Sequence, residues 1–315
     1  MAEALERKRN LEESLWNRET WLIVVESSVV AVIITAALIG SIVLCLAMFK
    51  FRSLCNKTQN YHIIALAASD LLFTLLCVTL DLAVVILGRW PFGETICQIQ
   101  GSLTYCYSSF SLLNMTLIAL NRYVKMVRPA NIYQKIYTKN NVLLSIAACG
   151  IFSGVFIIPF FAQRFCFHPG VSACLVCKNE TTQERALLLS SYSILIAITC
   201  PVMVFCYYKV FRKVRAHFAQ IADSTLHVDT MRSYKEEVKI TKILFAILGA
   251  FLVCWTPAFT FEILGTLRGD YKLQRQVYLI MFYTGAANCA INPVIYGLMQ
   301  KHFRDSYRKV LKCKT

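Results

Sequence analysis

Seven stretches of roughly 20 or more residues, each nearly free of charge, decide what this chain can fold into. They run over 21–48, 61–87, 97–120, 141–161, 186–210, 240–267 and 277–299. Each is long enough, at about 1.5 Å rise per residue, for a helix to cross a hydrocarbon layer of about 30 Å. The alternation that a transmembrane barrel strand requires is missing, so the spans are read as helices. Composition agrees: 57% of the 315 residues are hydrophobic and only 16% charged, against about a quarter charged in soluble domains. The expected fold is all-α, one seven-helix bundle with a charged tail at 1–20, the bundle at 21–299, and an amphipathic helix with a short tail at 300–315.

A formal charge of +15 invites a nucleic-acid reading, but its placement argues against one. Lys50 and Arg52 follow the first span, Lys125 and Arg128 the third, Arg212 and Lys213 the fifth, Arg304 and Arg308 the seventh. All lie on one side of the membrane, which the positive-inside tendency makes cytoplasmic. The amino terminus is then outside, with the first span expected to act as signal anchor because "MAEALERKRNLEESLWNRET" is charged throughout. Asn179, in "NET", falls in an outside loop as a glycosylation acceptor. The sequons at Asn56 and Asn114 fall inside the cell and within the bilayer, and are read as chance. In "QKHFRDSYRKVLKC", Phe303, Tyr307 and Leu311 share one face and the basic residues another, suiting a helix on the inner leaflet, with Cys313 as a palmitoylation candidate.

Most of the 14 cysteines lie in the spans as small apolar residues. Cys97, Cys166, Cys174 and Cys177 face the outside, and four cysteines allow three pairings. A bridge from Cys97 to the loop before the fifth span would tie that loop over the bundle mouth, worth about 4 kcal/mol in the chain-entropy model.

Polar groups at bilayer depth are costly enough to be functional. Asp70 lies about 15 Å below the inner end of the second span. Ser111, Asn288 and Asn292 reach a similar depth. An aspartate with serine and amide oxygens suits a small hard cation such as Na⁺. The alternative is a hydrogen-bond network that only joins helices. Beside this cluster, "CWTP" (Trp255, Pro257) and "NPVIY" (Asn292, Pro293, Tyr296) put proline inside spans next to an aromatic, which reads as two hinges. In "LIALNRYVKMVRP" the third span ends in Asn121, Arg122 and Tyr123. Glu237 stands at a comparable depth at the start of the sixth. Pairing of Arg122 with Glu237 would close the inner end of the bundle, and breaking it would open a basic cavity. The bland reading is that Arg122 marks the membrane surface, its head reaching for water.

Together "LAASD", "RWPFG", Cys97, "NRY", "CWTP" and "NPVIY" followed by Phe303 resemble the rhodopsin-like (class A) G-protein-coupled receptors, over essentially the whole chain. The resemblance implies an outer ligand cavity and inner helix ends that part to admit a heterotrimeric G protein, with arrestin a further candidate partner. It implies that Arg122 is the arginine of the inner motif, that Asp70, Ser111 and Asn292 form a sodium site, that Trp255 is the pivot under the ligand, and that Cys97 bonds Cys174. Within the family, "NRY" and "FHPGVSAC" are similar to melatonin receptors, and "KEEVKITKILFAIL" to the opsins. Three departures stand out: Ser41 replaces the usual Asn of the first span, the fourth span lacks its Trp, and Tyr208 sits one residue off the expected spacing from Pro201, with Tyr207 as its rival. Asn121 cannot supply the negative charge that usually restrains the arginine, so basal activity is expected to be raised.

Ala286 stands where opsins carry the Schiff-base lysine, so no covalent retinal is expected. Thr104 stands where amine receptors place an aspartate. The expected pocket lining is Gln100, Thr104, Tyr105, Ser108, Trp255, Phe259 and Glu262, which suits a small, weakly polar molecule. Glu262 has alternatives: a cationic ligand, Lys272, or plain packing. A transporter or channel would show repeats or pore-lining charge, and an enzyme a nucleophile with its base; the chain has neither pattern. A non-coupling decoy of the same fold is the alternative function. The expected place is the plasma membrane, with lipids as neighbours.

Overall fold

The computed structural model describes residues 2–51, 58, 60–155, 165–177, 182–221, 228–268, 271–299, 304 and 307. Seven helices form the bundle: Thr20–Lys50; Asn60–Phe73, continued through a π turn (Thr74–Val78) into Thr79–Leu87; Gly93–Val127; Lys139–Val155; Thr182–Ile221; Val228–Arg268; and Arg275–Met299. Six of them are long and apolar enough to cross a membrane. The fourth is described as far as Val155, and the rest of its expected span lies outside the described residues. Several helices overrun the apolar stretches, the third by several residues at each end. The backbone ladder continues where the side chains turn polar, because the helix satisfies its amides in water and lipid alike.

The bundle is apolar on its outer surface as well as in its core. Val32, Leu144, Val253 and Leu298 point outward and are among the most exposed apolar side chains, as lipid-facing residues must be. The interior holds Leu44, Met48, Leu66, Tyr107, Met115, Ile243, Phe251, Trp255 and Tyr296 in one cluster. Of those six spans the third is the most buried among the described residues, and it packs on the second, fourth, fifth and sixth. The first span packs on the second and seventh. There Gly40 faces Pro293, and a Cβ on Gly40 would lie 2.7 Å from the proline Cβ. Pro201, Pro257 and Pro293 all stand inside continuous helices.

Three features depart from the sequence expectation. The first 20 residues are not a plain tail: Ala2–Trp16 is a helix. Its i,i+4 pairs Lys8–Glu12 and Arg9–Glu13 support it locally. Leu11 and Leu15, also four apart, are buried, Leu11 with Phe261, Tyr278 and Met281. The chain turns beneath this helix at Gly88, whose φ of 70° favours glycine. The second departure is the π turn between Asp70 and Asp81, where Thr74 Oγ1 donates to the Asp70 carbonyl at 2.7 Å. The third is an antiparallel hairpin, β1 (Phe165–His168) with β2 (Ala173–Val176).

Candidate functional site

The hairpin lies across one end of the bundle and is fixed there by the third span. Cys97 bonds Cys174, with sulfurs 2.03 Å apart, and Cys166 bonds Cys177, a pairing that sequence could not choose. Gln98 imitates a strand edge: its Nε2 donates to the Phe165 carbonyl at 2.9 Å, and its Oε1 accepts from the Phe165 amide at 3.0 Å. Gln100, two residues on, accepts from the Cys174 amide at 2.9 Å but donates to the Asp81 carboxylate of the second span. Gln100 is therefore a tie between hairpin, third span and second span more than a free pocket wall.

The other expected lining residues lie below this tie. Thr104 Oγ1 donates to the Gln100 carbonyl at 2.9 Å and Ser108 Oγ to the Tyr105 carbonyl at 3.0 Å. The Tyr105 ring stands 5.8 Å from that of Phe165. On the sixth span Phe259 stacks on Trp255 at 5.9 Å. The side chain of Glu262 and the residue Asn179 lie outside the described residues. Lys272 is exposed.

Deeper in the bundle the expected polar cluster is present, and Tyr107 stands in its middle. The Tyr107 hydroxyl donates to Asp70 Oδ1 at 2.8 Å, and Asn292 Nδ2 donates to Asp70 Oδ2 at 2.9 Å. Asn288 Nδ2 donates to the Tyr107 oxygen at 2.9 Å. Asp70, Asn288 and Asn292 thus meet as sequence placed them. Ser111 is buried beside them in depth, but its Oγ, like that of Ser41, has no hydrogen-bond partner. Sequence reasoning missed Tyr107. The available signal was a phenol four residues before Ser111, one helical turn from it on the same face. Its ring stacks on Phe73 at 4.1 Å and lies 6.3 Å from Trp255, so one side chain touches both the polar cluster and the expected pivot.

At the opposite end of the third span, Asn121 and Arg122 are both 2% exposed. The arginine is among the largest fully buried side chains, so it does not simply reach for surface water. Asn121 has neither amide atom hydrogen-bonded. Tyr123 stands 5.6 Å from Phe205 with the Arg128 guanidinium over its ring. On the fifth span the inward tyrosine is Tyr207, 4% exposed, whereas Tyr208 is 55% exposed. Of the two candidates it is thus Tyr207 that faces the bundle interior, because one residue of shift rotates a helix position by about 100°. Tyr296 of the seventh span is buried, with Arg122 and Tyr207 within electrostatic reach of its hydroxyl. Tyr307 reaches back to the Pro293 carbonyl at 3.4 Å. The side chain of Glu237 and the residue Cys313 lie outside the described residues.

The family model for "7 transmembrane receptor (rhodopsin family)" matches residues 40–296. The histamine H2 receptor of Homo sapiens is 29% identical over 302 residues, covering 91% of this chain and 79% of its own. The histamine H2 receptor of Rattus norvegicus is 30% identical over 296 residues with the same coverage. The octopamine receptor beta-2R of Chilo suppressalis is 26% identical over 314 residues, covering 90% and 79%. These relatives carry the names of amines, not of melatonin or the opsins to which the short motifs are similar. With seven helices, a disulfide-tied hairpin at one end and a buried arginine at the other, the chain belongs to the rhodopsin family of seven-transmembrane receptors, which are receptors and not enzymes.

Proposed function

We propose that this chain is a plasma-membrane receptor, amino terminus outside, that takes a small, weakly polar ligand beneath the hairpin and activates a heterotrimeric G protein at the Arg122 end. One observation carries this reading. A single buried helix, Gly93–Val127, bears Thr104, Tyr105 and Ser108 under the hairpin, Tyr107 in the polar cluster, and Arg122 at the far end. A ligand that shifts this helix against the sixth and seventh would act on all three levels at once. The switch is proposed to combine release of Arg122 from Glu237 with hinging at Pro257 and Pro293, and replacing Glu237 by Ala is expected to raise basal signalling. Arrestin at the same end, glycosylation at Asn179 and palmitoylation at Cys313 complete the proposal.

A second reading concerns the ligand's charge. The relatives are named for histamine, octopamine and 5-hydroxytryptamine, yet Thr104 gives a protonated amine no counter-ion on the third span. Asp81 on the second span, bonded to Gln100 and 4% exposed, is a carboxylate that an amine would have to recruit instead. The test is a panel of monoamines, melatonin-like indoles, lipids and short peptides, read by G-protein activation in transfected cells. The first reading expects a neutral or weakly polar molecule to act and Asp81→Asn to leave that response in place. A monoamine response lost in Asp81→Asn selects the second, and a response to peptides alone defeats both. A receptor with no nucleotide exchange at all, basal or driven, is the decoy.

A further inference from the structure

A carboxylate at bilayer depth needs either a cation or a set of hydrogen-bond donors to offset the water it has lost. The two solutions have opposite polarity. A cation shell turns oxygen lone pairs inward and leaves the carboxylate to coordinate the metal. A donor shell turns hydrogens inward and so repels a cation. At Asp70 the shell is of the second kind. Oδ1 receives the Tyr107 hydroxyl at 2.8 Å, Oδ2 receives the Asn292 amide at 2.9 Å, and the Asn288 amide in turn donates to the Tyr107 oxygen at 2.9 Å. The hydroxyl's one hydrogen is directed at Asp70, its oxygen accepts from Asn288, and the Cys289 thiol, 3.2 Å away, fills the remaining side. The phenol cannot easily swing away, because its ring is buried and stacked almost parallel on Phe73. Ser111 Oγ has no hydrogen-bond partner and is the neutral oxygen left over for the competing arrangement. These residues do not fit a sodium ion at Asp70.

We propose that the Tyr107 hydroxyl takes the position a sodium ion would hold against Asp70, so that this carboxyl group is satisfied by the chain's own neutral hydrogen-bond donors and is indifferent to sodium. A tethered donor cannot dissociate. Rearrangement of the third span against the second and seventh must then move the phenol, and with it the ring whose centroid lies 6.3 Å from that of Trp255. The competing arrangement is a cation between Asp70 and the unpartnered Ser111 hydroxyl, and it makes the opposite prediction for salt.

The test needs no ligand. The thermal midpoint of the purified, detergent-solubilised receptor is measured in sodium chloride and in choline chloride at equal ionic strength. The wild type is expected to melt at the same temperature in both, while Tyr107→Asn, which removes the phenol and leaves an amide oxygen, is expected to gain a saturable, sodium-specific rise. A saturable sodium-specific rise in the wild type overturns the proposal. So does a Tyr107→Asn receptor that folds and stays indifferent, since the hydroxyl would then be standing in for nothing. Should that variant not fold, retention of radioactive sodium by the wild type decides: a level equal to that of Asp70→Asn supports the proposal, and a higher level defeats it.

Discussion

Arg275, first residue of the seventh span, donates through Nη1 to Oε2 of Glu26 on the first span at 3.0 Å. Arg18, in the link between the N-terminal helix and the first span, reaches the same oxygen at 2.5 Å and also bonds the Leu15 carbonyl at 2.6 Å and the Val85 carbonyl. All three side chains are buried. One carboxylate thus joins the N-terminal helix, the first span, the second span and the seventh. Two guanidiniums around one carboxylate make it the member that cannot be removed, because its loss leaves two buried cations facing each other. Glu26→Gln keeps the shape and removes the charge, and is expected to cost about 3 kcal/mol or more. The check is the thermal midpoint of the solubilised receptor together with surface expression; an unchanged midpoint would show that the ion triad contributes nothing.

Close approach of the first and seventh spans gives a second expectation, with its own control. A methyl group on Gly40 would stand 2.7 Å from Pro293 Cβ, and neither partner is a flexible side chain that can yield. Gly40→Ala is expected to destabilise by about 1–3 kcal/mol, the usual range for overpacking. Gly285, on the same seventh helix, has nothing within 4 Å of its would-be Cβ, and Gly285→Ala is expected to be neutral or slightly stabilising. Equal midpoints for the two variants would refute the close contact.

Much of this is legible in the sequence, and what is not has physical reasons. The spans were legible because hydrocarbon imposes a length and forbids charge, so Asp70 and Arg122 stood out at once. Depth along a helix follows from counting residues, which is why Asn288 and Asn292 could be placed level with Asp70. Rotation about the axis is less forgiving: a one-residue uncertainty in the fifth span exchanged Tyr208 for Tyr207. Tyr107 was passed over because a tyrosine in an apolar run looks like packing until its hydroxyl is seen on Asp70. The N-terminal helix was hidden by its charge, although Leu11 and Leu15 at i,i+4 and the flanking Glu–Arg pairs were its signature. Gln98 and Gln100 gave no signal either, since an amide that completes a strand edge does so only once the hairpin is folded against it.

The N-terminal helix lends itself to proteolysis. Its attachment rests on Leu15, 1% exposed, and Leu11, 7% exposed against Phe261, Tyr278 and Met281, along with Arg18. Replacing Leu15 with Asp would bury a charge without a partner, and the helix is expected to detach rather than pay that penalty. Its basic run, Arg7, Lys8 and Arg9, would then be cut by trypsin several-fold faster than in the wild type, with the bundle core intact. Identical cleavage rates in wild type and Leu15→Asp would mean that the helix is not held where the packing places it.

The tyrosine pair on the fifth span puts one hydroxyl inside the bundle and its neighbour outside. Tyr207 is buried against Phe245, ring centroids 4.3 Å apart, and shares its surroundings with Arg122 and Tyr296. Tyr208 faces outward with the Arg212 guanidinium 6.0 Å from its ring. If the fifth span contributes a hydroxyl to the active arrangement around Arg122, Tyr207→Phe removes it while keeping the ring that packs on Phe245, so expression should hold and G-protein activation should fall several-fold. Tyr208→Phe removes a hydroxyl that faces away from the bundle and should leave activation within error of the wild type. Basal nucleotide exchange suffices as the readout, because Asn121, the residue before Arg122, carries no charge to restrain it and the resting rate is expected to be measurable. A loss confined to Tyr208→Phe would return the role to the outward residue and would require the fifth helix to rotate by about 100° on activation.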